Sequence, residues 1–457
     1  MPLTRSLGAF VAELRFDALP PEALDTVRLG FTDCVASLVA GRGEPVVEIL
    51  RSVIGAPSAA GEARLCLGRE RASATDAALV NGTAAHALDY DDVALAAHPS
   101  AVLVPAILAE AEALGAGGRE MALAYVAGYE VWAELNGRDA DRHHRKGWHP
   151  TSIFGVVGAA AACAALHRLD ADRAAAALAI AASEAAGVVA NFGSMTKPFH
   201  AGQAARGGVL AARLAAAGMT AAADAIEHPL GFLAAISPAG RVDRDAAPRL
   251  GREWRILESR LNVKRYPLCY ATHRTIDGVL DMLAERRLSS EEIAAIEVEL
   301  GPTQATILRN HRPQTGLDAK FSEEFAMAAS VVAGRVGLAE LSDAFVLRPE
   351  IQAMMSKVTI RGTAEPDPED PAFSLADEVR LQLKSGETLS RRVRYARGHA
   401  RAPLGEEELW TKFRDCVGPQ AGEATARALF DALRTIDRIA DPAALPVIEE
   451  SGRPKAA

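Results

Sequence analysis

In HALDYDDVALAAHPSAVLVP, residues 86 to 105, two histidines and three aspartates fall within thirteen positions: His86, Asp89, Asp91, Asp92 and His98. Imidazole titrates near neutral pH and a carboxylate can orient it or fix its tautomer, so this mixture suits the movement of protons. If the segment from Ala84 is helical, His86 and Asp89 lie three apart and share a face. His98-Pro99-Ser100 then starts the next helix, and His149-Pro150-Thr151 repeats the device before another Gly/Ala-rich run. A helix start offers free N–H groups and a positive dipole end, so His98 and His149, with Thr151, form a setting for carboxylates. The bland alternative makes Pro and Ser/Thr simple caps and the histidines fillers; two matching copies beside an acid cluster favour function.

Two further stretches carry cations. NFGSMTKPFHAGQAARGG, from Asn191 to Gly208, sets Lys197, His200 and Arg206 among four glycines, and reads as a glycine-rich turn that offers charge to an anion. It does not match the phosphate-binding G-x-x-x-x-G-K-[ST] loop. VKRYPLCYATHRTID brings Lys264, Cys269 and His273 to a change of sequence texture; alone, Cys269 reads as a small buried hydrophobe. DRHHRKGWH offers Asp141, His143, His144 and His149, but its spacing fits no standard ligand set and Arg142, Arg145 and Lys146 oppose a cation, so no metal is expected.

These residues need a scaffold. From residue 1 to about 260 the pattern is helical almost throughout: PPEALDTVRLGFTDCVASLVAG, AVLVPAILAEAEALGAGG and TSIFGVVGAAAACAALHRL all have wide apolar faces. After about 290 a two-residue period appears in IAAIEVEL, MMSKVTIRG and the hairpin-like EVRLQLKSGETLSRRVRYA, and helices return near 400. The expected fold is mainly α: a large helical domain (1–260 and 397–457) with an inserted smaller α/β lid domain (261–396). The closing LPVIEESGRPKAA reads as a frayed tail.

Composition excludes several classes. The chain has 457 residues, 49% hydrophobic and 24% charged, with only 5% aromatic and a net charge of −9. Such acidity argues against nucleic acid, which demands basic patches. Five scattered cysteines without a C-x-x-C pair exclude an iron–sulfur or zinc ligand set and suit a reducing cytoplasm. The N-terminus lacks a signal-peptide pattern, and the longest apolar stretch, 153–166, is too short for a membrane span. A cytoplasmic protein without membrane or nucleic-acid partners is expected.

Taken in order, HALDYDD, HPS, GWHPTS, GSMTKPFHAGQAARGG, KRYPLCYATH and AKFSEEF resemble the MmgE/PrpD family over nearly the whole chain. That family includes 2-methylcitrate dehydratase, cis-aconitate decarboxylase and iminodisuccinate epimerase. The resemblance implies a helical domain closed by an α/β lid, a homodimer, no cofactor, and an active site between domain and lid. Its active-site positions fall on Asp89, His98, His149, Lys197 and Lys264. Val93, Cys269 and Phe325 stand where the decarboxylase pattern has threonine, histidine and tyrosine; cysteine at 269 is similar to the epimerase branch. The family's common step removes or returns a proton at carbon beside a carboxylate of a small di- or tricarboxylic acid. The expected function is therefore a lyase of that kind, with an epimerase of an iminodisuccinate-like substrate as the alternative and a non-catalytic carboxylate binder as the third reading. Lys197 and Lys264 are expected to hold carboxylates, with His200, Arg206 and Thr151 beside them. His98 and His149 are expected to move protons, Asp89 to orient one of them, and Cys269 to serve as a second base or a spacer.

Overall fold

The computed structural model describes residues 2–54, 60–363, 365–368 and 373–449. Two compact units result: Met1–Leu261 with Trp410–Ala457, and Asn262–Leu409. The fold is mainly α with small sheets.

The first unit is built on α1 (Pro21–Gly41), α2 (Ala74–Ala87), α3 (Pro99–Leu114), α4 (Gly118–Asn136), the single turn α5 (Pro150–Ile153), α6 (Gly155–Leu166), α7 (Ala171–Ser183) and α8 (Thr196–Ala216). Proline opens α1, α3 and α5, where its missing N–H costs nothing and its fixed φ suits the first turn. Alanine and glycine let these helices approach closely. Gly202 of α8 lies against α2, where an added Cβ would sit 2.2 Å from the Leu79 carbonyl oxygen and 2.3 Å from Thr83 Oγ1. Bulk is confined to a few large side chains, and Trp132, Tyr125, Phe31 and Phe154 are fully buried.

This packing corrects one expectation. The segment from Asn191 is a glycine-rich turn only as far as Met195, and from Thr196 it is the long helix α8. Gly202, Gly207 and Gly208 serve contact between helices rather than backbone approach to a ligand, because a β-carbon there would strike α2 or α6. The alanine faces are likewise consumed internally: Ala159, Ala160, Ala201 and Ala205 are all fully buried.

The second unit contains α9 (His273–Arg286), β1 (Ile293–Leu300), α10 (Glu323–Ala333), α11 (Pro349–Met355), β2 (Val358–Gly362), β3 (Asp377–Leu383) and β4 (Thr388–Val393). Its sheet has the order β2-β1-β3-β4, with β1 and β2 parallel and the other pairs antiparallel. One face is buried, so β3 alternates: Asp377, Val379, Leu381 and Leu383 turn inward. Val379, Leu381 and Leu383 join Ile296, Val298, Ile276, Val279 and Phe325 in one apolar core. The β3–β4 hairpin turns through Gly386 at φ +90°, a conformation glycine adopts without a Cβ penalty. MMSKVTIRG divides, its two methionines ending α11 and only Val358 onward forming a strand.

Helices resume with α12 (Glu406–Ala421) and α13 (Glu423–Leu433). The tail differs from a frayed end as far as it is described. Leu445 and Ile448 are buried, and the Ile448 N–H donates to the Leu67 carbonyl at 2.9 Å. Residues 450–457 lie outside the described residues.

Candidate active site in the helical unit

Helix α2 starts at Ser73, whose hydroxyl accepts from Asp76 N–H, and carries His86 in its last turn. The helix ends at Ala87, so Asp89 is not on its face as the spacing suggested. Asp89 takes φ +53°, which swings its side chain out of helical register. Leu95 and Ala96 are also left-handed, at φ +55° and +54°. Non-glycine residues in that region cost on the order of 1 kcal/mol or more each, and such strain gathers at functional loops. Paired bonds between Ala94 and Ala97, at 3.0 and 2.8 Å, close the loop and deliver His98 to the start of α3.

Asp91 stands at the centre of the cluster. His86 Nδ1 lies 2.9 and 3.1 Å from its two carboxylate oxygens. His98 Nδ1 approaches Oδ2 at 2.9 Å, close enough for an ion pair but off the line of a hydrogen bond. The His86 and His98 rings are 4.5 Å apart. On its other side His98 Nε2 faces Asp89 Oδ1 at 3.8 Å, and Lys197 Nζ donates to that same oxygen at 2.7 Å. The His98 backbone N–H donates to Thr151 Oγ1 at 3.2 Å, which ties the two His-Pro-Ser/Thr helix starts together.

His149 precedes α5, with its N–H bonded to the Gly187 carbonyl at 3.1 Å. Its Nδ1 is 3.2 Å from His200 Nδ1, so one of these nitrogens carries the proton and the other accepts it. Its ring lies 6.0 Å from His86 and meets the edge of Phe192 at 4.8 Å. Asp89, His98, Thr151, His149, Lys197 and His200 are thus one constellation. Arg206 lies further along α8, and among the described residues no hydrogen bond or ion pair joins it to the cluster. Lys264, buried, and Cys269, half-buried, belong to the second unit, where the Cys269 N–H donates to the Lys320 carbonyl at 2.9 Å. Phe325 is a core residue of that unit, fully buried.

Burial sets the charges. It pushes the His86 imidazole down to about 4 and His149 far lower, with the nearby cation Lys197 adding to both. His200 is lowered by burial and then by Lys197. Burial alone would raise the Asp91 carboxyl, but His86 and His98 hold it well below the usual carboxylate range. Asp92, the next residue, is the reverse. Burial and the charge of Asp33 raise it well above that range, which favours its protonated form. Beneath the loop, Lys412 of α12 pairs with Asp33 of α1 and donates to the Tyr90 carbonyl at 2.8 Å. Ser100 shares a hydroxyl contact with Tyr125 at 2.8 Å.

The nearest approach to a metal-ligand set is His86, Asp89, Asp91 and His98, whose donor atoms lie within 4.8 Å of one another. A divalent cation there would have to displace the Lys197 ammonium from Asp89 and the His86 imidazole from Asp91. The set suggested by DRHHRKGWH is not assembled, since Asp141 pairs with Arg241 at 2.6 Å.

Two roles escaped the sequence. Asp91 and His86 stand inside the quoted motif, yet nothing in the spacing marks Asp91 rather than Asp89 as the acid between two imidazoles. Phe192, which backs His149 and lies 5.4 Å from the Lys197 ammonium, carries no signal of its own.

Comparison with known proteins decides the relationship. Residues 5–245 match the MmgE/PrpD N-terminal domain, and residues 266–437 match the MmgE/PrpD C-terminal domain. The chain belongs to the MmgE/PrpD family. Cis-aconitate decarboxylase of Homo sapiens is 29% identical over 398 residues, covering 83% of this chain and 80% of that protein. The Mus musculus enzyme of that name is 29% identical over 381 residues, covering 80% and 76%. That of Aspergillus terreus is 23% identical over 467 residues, covering 96% and 94%. This MmgE/PrpD protein is an enzyme, a lyase of the family type. Among the described residues no helix is long and apolar enough to cross a membrane.

Proposed function

We propose that this lyase moves a proton at carbon beside a carboxylate of a small di- or tricarboxylic acid, without a metal or organic cofactor. The observation that carries the reading is the meeting of the Lys197 ammonium with His98 and His149 around Asp89 and Asp91. Lys197 sits in the first turn of the 21-residue α8, where cation and helix N–H groups together favour an anion. Lys264 is proposed to hold a second carboxylate, as the family resemblance implies.

The imidazoles are proposed to exchange the proton, with Asp89 orienting His98. His149 is driven neutral by burial and by Lys197. A substrate carboxylate arriving within ~4 Å offsets the Lys197 charge and favours the imidazolium by about 4 kcal/mol at an effective dielectric near 20, while the larger effect of burial remains. Neutral His149 is therefore suited to accept a proton, and an anionic substrate helps to stabilise the imidazolium that results. In a dehydration, one imidazole takes the carbon-bound proton and an imidazolium gives one to the departing hydroxyl, so that water leaves. In a decarboxylation, the carbon–carboxylate bond breaks, carbon dioxide leaves, and an imidazolium protonates the resulting carbanion. The relatives named for cis-aconitate make that tricarboxylate the first candidate. Cys269, absent from the decarboxylase pattern, favours epimerisation as the second reading.

The test is incubation of the enzyme with cis-aconitate, citrate, 2-methylcitrate and an amino-dicarboxylate panel in D2O, followed by NMR. Loss of carbon dioxide with one deuterium taken up at carbon, or loss of water with the carbon-bound proton released to solvent, supports the lyase reading. Epimerisation with exchange supports the second. No exchange or loss from any member refutes proton transfer beside a carboxylate, and activity abolished by EDTA but restored by zinc or magnesium refutes cofactor independence. We further propose a cytoplasmic homodimer on the family resemblance; the alanine faces, already buried within one chain, do not supply its interface. A monomer by light scattering at micromolar concentration would refute it.

A further inference from the structure

The cluster holds one acid to which neither the sequence nor the family resemblance assigns a role. We propose that Asp91 is the positioning residue of this site, its buried carboxylate holding His86 and His98 together in the Nδ1–H tautomer so that the Nε2 of His98 faces the Asp89–Lys197 pair. This rests on reading His98 as a residue that moves protons.

Asp91 has no exposed surface and both its oxygens meet imidazole nitrogens, at 2.9 Å for His86 and 2.9 Å for His98. Its carboxylate has only acceptors to offer, so each facing Nδ1 must carry a hydrogen. His98 Nε2 is then left as an acceptor in the neutral ring, and it is this atom that lies 3.8 Å from Asp89 Oδ1, the oxygen held by Lys197. A small turn of the His98 ring would bring its Nδ1 on line with Oδ2.

His86 is the other half of the device. Its side chain is wholly buried, so it does not reach a ligand in solvent. Its Nε2 has no hydrogen-bond partner among the described residues, so Asp91 is its one anchor. By bonding Asp91 at 2.9 and 3.1 Å, His86 prevents the carboxylate from turning toward either cation of the neighbourhood. The charged and titratable groups around the pair are Asp89 and Lys197 across His98, His149 beside His86, and Asp92 followed by Asp33 and Lys412 beneath the loop. Asp91 touches no reacting atom in this account; it decides which nitrogen of His98 carries the proton.

The experiment joins 15N NMR of histidine-labelled protein with turnover of whichever carboxylate the D2O panel selects. In the wild type near pH 8, His86 and His98 should both show the Nδ1–H pattern. A His98 signal of the Nε2–H form overturns the proposal without any variant. In Asp91→Asn the carboxamide oxygen can keep the aligned His86 Nδ1–H while its NH2 faces His98, so the His98 ring should switch tautomer. kcat should fall by at least about a hundredfold with KM changed less than about threefold, because the wrong tautomer removes a proton acceptor and not a binding contact. His86→Asn, whose amide N–H replaces Nδ1–H, should keep kcat within about tenfold and leave His98 in its Nδ1–H form. Unchanged tautomers in Asp91→Asn overturn the positioning role. A switched His98 with undiminished turnover instead overturns the assignment of His98 as proton mover, and leaves the hold of Asp91 intact.

Discussion

Lys412→Met tests how the acid loop is held. In the native fold the Lys412 side chain is 2% exposed and Asp33 is fully buried, and their ion pair links α12 to α1 beneath residues 89 to 92. The ammonium also donates to the Tyr90 carbonyl at 2.8 Å and lies 4.1 Å above the Tyr90 ring. Methionine fills the same length but leaves a buried carboxylate without its cation, which costs roughly 3–5 kcal/mol in comparable pairs. The lost bond to Tyr90 adds on the order of 1 kcal/mol. For a fold whose whole stability is roughly 5–15 kcal/mol, that is a large fraction. Part of the penalty is relieved if Asp33 takes a proton, the direction in which burial also shifts its neighbour Asp92. Asp33→Asn/Lys412→Met should accordingly recover most of the loss, because it removes both buried charges at once. Urea unfolding followed by circular dichroism gives the three free energies. A single-variant cost below about 1 kcal/mol, or a double variant no better than the single, would show that the pair does not hold the loop.

Lys197→Met should lower kcat/KM by roughly tenfold to a hundredfold through a lost charged contact to substrate, and steady-state kinetics showing less than a threefold change would refute its role. Gly202→Ala should destabilise the fold by about 1–3 kcal/mol, since its Cβ would meet the Leu79 carbonyl oxygen at 2.2 Å; an unchanged urea midpoint would show that α2 and α8 can part. The lowered imidazole of His86, at about 4 because of burial, costs nothing above pH 6.5. As pH falls from 6.5 toward 4 the unfolded chain binds the proton that the fold rejects, and up to roughly 3 kcal/mol of stability is lost. Asp91, depressed instead, gives up its contribution only below the usual carboxylate range, outside that window. Glu130, raised to about 7 by burial, slopes the opposite way, so the measure is the difference in urea midpoints between wild type and His86→Asn across pH 8 to 4.5. Equal slopes in the two proteins would refute the assignment.

Helices and strands were legible where a single period dominated. The Pro21–Gly41 helix carries its own start and stop residues, and β1, β3 and β4 alternate because one face of their sheet is buried. The site was legible as residue types: His98 and His149 do begin helices, whereas the pairing of Lys197 with Asp89 was not foreseen. Two local readings failed for the same reason, that glycine and aspartate have more than one use. Gly202 could serve a turn or a close helix contact, and only the position of α2 beside α8 settles it as a contact. Asp89 could lie on a helix face or leave the helix, and a φ of +53° in a tightly closed loop makes it leave.

The sequence by itself determined the class of fold, the acidic character of the chain, and the set of imidazoles, acids and lysines available for chemistry. These follow from composition and from periodicities that a chain carries in any conformation. Tertiary structure alone decided which acid serves which base. Asp91 comes to lie between His86 and His98, and Asp89 pairs with a lysine 108 positions away. It also decided which charges are favoured, because burial and neighbouring charge act through space: they keep Asp91 ionised and His149 neutral, and they favour the protonated form of Asp92 one position along the chain from Asp91.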